Sequence, residues 1–243
     1  MMFKSPVSRD KANEWISISD IMSVLMLIFL FISIIYMVDV KESEQLANKE
    51  RERISQIAIA YSTVQNDLYE ALQDEFAGDL ERWNATLERP PELSIRFNEP
   101  EVLFQRGSAI VNPRFKEILD DFFPRYLRIL NSEQFREDIA EIRIEGHTSS
   151  EWWLDTPSEE AYFLNMELSQ ARTREVLQYC LRLLDPHDQT WVRSYITANG
   201  LSSSRLIIDS DTGEEDKDRS RRVEFKTRTN AERRIMEILQ EAT

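Results

Sequence analysis

A single carboxylate inside an apolar run is the first residue with chemistry to offer. Asp20 lies near the start of the stretch Trp15–Val38, and from Ile21 to Val38 no residue carries a charge. A carboxylate at membrane depth is costly unless it faces a cavity or a partner, so by default it is a candidate for taking up and releasing a cation. A second reading stands beside this one: Ser19 or Asp20 caps a helix that starts at the membrane surface. Residue type and position alone do not choose between them. Ser17, Ser19 and Ser23 add small polar groups suited to a packed or hydrated face. Elsewhere the candidates are sparse. His147 and His187 are too few for a histidine-built metal cluster, and one cysteine, Cys180, excludes an intrachain disulfide. His147 reads as a structural hydrogen-bonding residue, and Cys180 as a small core residue rather than a reactive thiol. No phosphate-cradling glycine loop, G-x-S-x-G or H-E-x-x-H pattern is present, so no catalytic or metal-ligating residue is assigned.

The element that must position Asp20 is a membrane helix. At the helical rise, residues 15–38 extend about 36 Å, enough to cross a hydrocarbon core of about 30 Å with some tilt. The run is longer than a signal peptide's apolar region and ends Tyr36-Met37-Val38-Asp39 without a small-residue cleavage pattern, so it reads as an uncleaved anchor. Residues 1–14 carry Lys4, Arg9 and Lys11 against Asp10 and Glu14, whereas Asp39, Lys41, Glu42 and Glu44 follow the span. The cation excess puts the N-terminus in the cytoplasm and the rest outside, with Trp15 and Tyr36 as interfacial anchors. A formal net charge of -14 over 243 residues excludes nucleic acid as a natural partner, because a phosphate backbone needs Lys and Arg.

Residues 39–91 read as a helical linker. Ile54, Ile57, Tyr61, Val64, Leu68 and Leu72 recur at spacings of three and four. This stripe suits pairing with a copy of the chain or with a partner helix, and it equally suits an amphipathic helix lying on its own domain. Pro90-Pro91 is expected to end the helix, which runs to about Leu87. Beyond it, alternation predicts a strand over Leu93–Phe97 and Val102–Phe104, broken at Pro100. Asn112-Pro113 opens a helix through Phe115, Ile118, Leu119, Phe122, Phe123, Tyr126, Leu127 and Leu130, bent at Pro124. Ile139–Glu145 is a second strand ending at Gly146. A helix over Tyr162–Leu184 turns Leu168, Ala171, Val176, Leu177, Cys180 and Leu184 inward. Strands at Ser194–Asn199 and Arg222–Lys226 flank an acidic loop, Asp209–Asp218, and residues 229–243 form a closing helix. The fold class is α+β: a single N-terminal transmembrane helix, a helical linker, and an α/β sandwich with helices on one face of a mixed sheet.

Several motifs carry a resemblance. Gly146-His147-Thr148, Asn165-x-x-Leu168-Ser169-x-x-Arg172 and Arg221-Arg222-Val223-Glu224, preceded by Val102-Leu103-Phe104, Gly107-Ser108-Ala109 and Pro113, resemble the OmpA-like peptidoglycan-binding domain over residues 92–228. That resemblance implies a site that holds the free carboxylate and amine of a diamino acid in the wall's peptide stem, with Thr148, Ser149, Asn165, Leu168, Arg172, Arg221 and Arg222 as its residues. One position departs from the pattern. The family's Thr-Asp pair is Thr148-Ser149 here, and Ser149 cannot supply the charge that receives the amine; Glu151 or Asp155 is the candidate replacement. Arg172 matches the carboxylate-binding arginine and suits a bidentate pair.

In the span, Trp15-Ile16-x-x-x-Asp20-x-Met22-Ser23 resembles the transmembrane helix of MotB-like flagellar stator B subunits, whose matching aspartate carries protons or sodium ions. The loop Ser149-Ser150-Glu151-Trp152 is more similar to the B subunits of Zorya antiphage defence motors. The resemblance implies a homodimer in the bacterial inner membrane, a multi-span MotA-like partner, a periplasmic domain held by peptidoglycan, a transported proton or sodium ion with no other cofactor, and no enzymatic activity. Flagellar motility and a passive membrane-to-wall tether remain the alternatives.

Overall fold

The computed structural model describes residues 7–98, 100–153 and 155–230, with side chains from residue 19 onward except at residues 60, 61, 100 and 101. The chain divides into two compact units, residues up to 56 and residues from 57 on.

The first unit is helical. Helix α1 covers Val7–Leu80 without a break, and the 18-residue window of highest mean hydropathy, 2.8, falls within residues 19–76. Every large apolar side chain from Ile21 to Ile32 is about half exposed or more. That is the reverse of a water-soluble helix and what a lipid-facing one requires, since its backbone polar groups are satisfied within the helix itself. Ser23 and Ser33 turn their hydroxyls back onto the carbonyls of Ser19 and Phe29, at 2.8 and 2.7 Å, which removes two donors from the apolar surface. Because α1 begins at Val7, Asp20 lies well inside the helix. The reading of Ser19 or Asp20 as its cap is therefore corrected.

The second unit opens with the end of α1. Val64, Leu68 and Phe76 are fully buried and Leu72 is 1% exposed, whereas Ile54 is exposed and Ile57 only half-buried. From Val64 onward the stripe therefore packs into its own domain, so the pairing reading is corrected for this part of the linker. Heptad spacing marks an apolar face but does not identify what covers it. The Tyr61 side chain lies outside the described set. The helix ends at Leu80 rather than near Leu87. Asn84 then turns at φ 46, and strand β1 (Ala85–Glu88), inside the stretch expected to be linker, pairs antiparallel with β2 (Ser94–Phe97).

The sheet has five strands in the order β1-β2-β5-β3-β4. Strand β3 is Ile139–His147, β4 is Ile196–Gly200 and β5 is Arg222–Thr229. Only β3 and β4 run parallel, as their helical crossover requires. The expected strand at Val102–Phe104 is instead a helical turn, α2 (Pro100–Leu103), after which Phe104 makes one bridge to Val111. Proline suits the first position of such a turn and lacks the N–H that a ladder needs.

Helix α3 (Pro113–Leu130) buries all eight of its expected apolar residues and continues through Pro124. Asn112 precedes it as the cap residue, without a side-chain capping bond. Phe122 sits at the centre of the core, its ring 5.3 Å from Phe76, 5.2 Å from Phe97 and 5.0 Å from Phe225.

Helix α4 (Ser158–Arg182) differs more from expectation. Its buried face is Ala161, Asn165, Ser169, Thr173, Val176 and Cys180, whereas Leu168, Ala171, Leu177 and Leu184 are only half-buried. The face is small and polar because the backbone there lies against the sheet. A Cβ on Gly200 would sit 2.3 Å from the Gln170 amide nitrogen, and one on Gly146 would sit 2.7 Å from the Thr173 methyl. Helix α5 (Pro186–Tyr195) was not expected. Asp185 caps it, accepting from the amides of His187 and Asp188. The short helix α6 (Lys217–Ser220) precedes β5. The helix expected over residues 229–243 falls, beyond Asn230, outside the described residues; Thr229 itself closes β5.

Candidate functional site

Strand alternation gives the sheet two unlike faces. Ile142, Ile144, Val223 and Phe225 point into the core. Glu145, His147, Arg222 and Glu224, their neighbours in sequence, form a buried charged layer. Glu224 accepts from Arg222 Nε at 2.6 Å and from Arg96 Nε at 3.0 Å. Burial alone would raise its carboxyl, but the hydrogen bond and charge of Arg222 overcome this and lower it to about 2. Glu145 accepts from Arg205 at 3.2 Å.

His147 Nε2 lies 3.8 Å from Glu145 and 4.0 Å from Glu224, and among the described residues neither ring nitrogen has a hydrogen-bond partner. The hydrogen-bonding role expected of His147 is thus corrected: arginines already hold the carboxylates around it. Burial first, and then the charge of Arg222, push its pKa down to about 3. Glu145, His147 and Glu224 do gather ligand-type atoms within 4.8 Å of one another. The surrounding guanidinium groups already neutralise both carboxylates, which opposes a cation there.

The expected binding residues converge at the end of β3. A cavity of about 230 Å³ is lined by Thr148, Ser149, Asn165, Leu168, Arg172 and Arg221, together with Phe104, Arg106, Gly107, Glu151, Trp152 and Trp153. Spacing on α4 explains part of this, because positions 165, 168 and 172 recur at three and four and share one face. Asn165 Nδ2 donates to the carbonyls of Ser149 at 3.3 Å and Glu151 at 3.0 Å, which fixes the loop that follows β3. The Thr148 amide donates to the Ser202 carbonyl at 2.9 Å. Thr148 Oγ1 is buried and, among the described residues, has no hydrogen-bond partner.

Arg172 Nε donates to the Ser108 carbonyl at 2.9 Å and Nη2 to that of Gln105 at 3.2 Å, with the guanidinium 4.8 Å above the Phe104 ring. Burial, reinforced by the nearby charge of Arg221, lowers its pKa to about 10. Gly107, at φ +70, turns the loop beneath it and faces Trp153, over which the Arg106 guanidinium lies at 5.3 Å. Arg222 lies outside this cavity. Its Nη1 donates to the carbonyls of Arg205 and Ser220 while Nε holds Glu224. Strand pleating turns it away from Arg221, its neighbour in sequence. Glu151 lines the cavity and is paired with Lys217, whereas Asp155 is exposed and is not among the lining residues. Arg106, Phe104 and Trp153 were not among the expected site residues. No local spacing points to the first two, since their loop is placed by the bonds of Arg172.

No family model matches the chain. Among curated proteins it is 49% identical, over 236 residues, to the Zorya protein ZorB of Escherichia coli strain Crooks, covering 96% of this chain and 95% of that one. Among solved structures, a putative MotB-like protein from Desulfovibrio vulgaris superposes with a TM-score of 0.51 at 23% identity, over 72% of this chain and 96% of that one. The cell wall anchor of the T6SS from Pseudomonas aeruginosa gives a TM-score of 0.44 at 22% identity, over 65% and 97%. The MotB-like structure shows a shared fold.

Proposed function

The chain belongs to the family of the Zorya protein ZorB, and on that premise we propose that it is the peptidoglycan-held B subunit of an ion-driven, stator-type motor of the inner membrane, acting in antiphage defence. The observation that carries the motor reading is Asp20, the carboxylate at the edge of the uncharged stretch of α1 whose apolar side chains face outward from Ile21 to Val38. Two copies pair through their spans, and a multi-span MotA-like partner surrounds them. The membrane field, worth about 2.3 kcal/mol per charge per 100 mV, drives protons or sodium ions onto and off Asp20. Each loading step changes how the partner sits on the dimer. The domain from residue 57 on lies in the periplasm and holds the wall's peptide stem in the cavity around Arg172. A bidentate pair between Arg172 and a stem carboxylate supplies the grip. The held dimer does not turn, so the partner does. The chain carries out no covalent chemistry in this scheme.

The test replaces Asp20 while keeping its size. Asp20→Asn, co-expressed with the multi-span partner, is scored for complex assembly and for phage protection. Intact assembly with protection lost supports the ion-carrying carboxylate. Protection retained leaves only a passive tether.

A further inference from the structure

The charges that line the cavity do not balance. Arg172 commits Nε and Nη2 to two loop carbonyls, and among the described residues no carboxylate pairs with it. Its Nη1 donors remain for a ligand. In the same lining, Thr148 Oγ1 belongs to a residue only 4% exposed and, among the described residues, has no partner. An unsatisfied buried hydroxyl is costly unless something fills the space before it. Arg106, lying over Trp153, adds a further cation to the wall, while Arg221, also in the lining, is held by Asp218.

Opposite charge is scarce. Glu151 is the one acid among the lining residues, and Lys217 from the neighbouring acidic loop already holds it. The same loop is clamped a second time, by Ser150, whose amide donates to Glu215 at 3.0 Å and whose hydroxyl donates to it as well. Ser149 is neutral. A ligand ammonium entering this cavity meets guanidinium groups and a carboxylate whose charge is answered from within the protein.

We propose that the cavity reads its ligand through a carboxylate, on Arg172 and Thr148, and does not require a free amine: it accepts wall peptide stems whether their side-chain amine is free or acylated in a cross-link. The proposal rests on the peptidoglycan reading above. It makes Lys217 a specificity-determining residue, an internal ammonium occupying the acid that a ligand amine would otherwise seek.

The experiment uses the full chain in detergent and three soluble stem peptides ending in a diamino acid: one unmodified, one acetylated on the side-chain amine, one with its carboxylate amidated. Acetylation is expected to change Kd less than about threefold, and amidation to weaken it by about tenfold or more, the scale of a lost charge-assisted pair. Lys217→Ala, which frees Glu151, is expected to introduce a preference of about fivefold for the unmodified peptide. A loss of tenfold or more on acetylation overturns the proposal. So does failure of all three peptides to bind a chain that still sediments with intact wall sacculi. If the sacculi are not bound either, the peptidoglycan reading falls, and the proposal falls with it.

Discussion

Phe29 and Phe122 have the same side chain and opposite surroundings. Phe29, in the membrane helix, is 61% exposed, while Phe122, on α3, is fully buried among five aromatic rings. The charges are reversed in the same way. Residues 21–38 have none and leave Asp20 at their border, whereas the sheet of the second unit buries Glu145, Arg222 and Glu224 and answers both carboxylates with guanidinium groups. The contrast shows which solvent each region is built for. In the first, apolar surface is the outside and a lone carboxylate is the exception that needs a partner. In the second, apolar surface is the inside, and Arg172 stands out as a half-buried arginine that, among the described residues, pairs with loop carbonyls rather than a carboxylate.

Phe122→Ala tests the contrast most severely. It is expected to cost the folded domain about 4 kcal/mol, because the ring has close-packed neighbours on every side. Phe29→Ala should leave the same unfolding transition within about 0.5 kcal/mol. Denaturant titration of both variants in micelles measures the pair, and equal shifts would break the division.

Gly200→Ala comes next, at about 2–3 kcal/mol, since its Cβ meets backbone rather than a yielding side chain. Gly213→Ala, where nothing lies within 4 Å but φ is +71, should cost only about 1 kcal/mol.

The third prediction concerns the buried charged layer. The pKa of His147 in the folded chain, about 3, lies below its ordinary value of 6.5. The unfolded chain therefore binds a proton that the folded one refuses. Stability falls as pH drops from about 6.5 toward 3, by about 2 kcal/mol at pH 5. His147→Leu should flatten that slope, and unfolding midpoints between pH 7 and 4 report it. An unchanged slope would mean that the ring is not held neutral.

These contrasts also bear on how much of the molecule is legible in the chain itself. Where apolar residues recur at helical spacing, as in α3, position and buried face both follow. The α4 face does not, because close approach at Gly146 and Gly200 selects Ser169 and Thr173, and the loop after β3 engages Asn165, and all three look like solvent-facing residues. Strand β1 has four residues and too little alternation to be noticed. Helix α5 did leave a signal, Asp185 before Pro186, a cap followed by a first-turn proline. The cavity was reached through resemblance rather than spacing. Thr148 and Arg172 are 24 residues apart by number and line one cavity only through the fold, and Arg106 arrives on a loop that Arg172 holds from α4.

In the proposed scheme the two regions do separate work, Asp20 carrying ions in the membrane and the cavity around Arg172 holding the wall. Co-sedimentation of the full-length chain with purified wall sacculi tests it most directly, comparing wild type, Arg172→Ala and Asp20→Asn. Arg172→Ala is expected to lose most of its sedimentation, about tenfold or more, while Asp20→Asn sediments as wild type does. Retention by Arg172→Ala, or loss by Asp20→Asn, would contradict it.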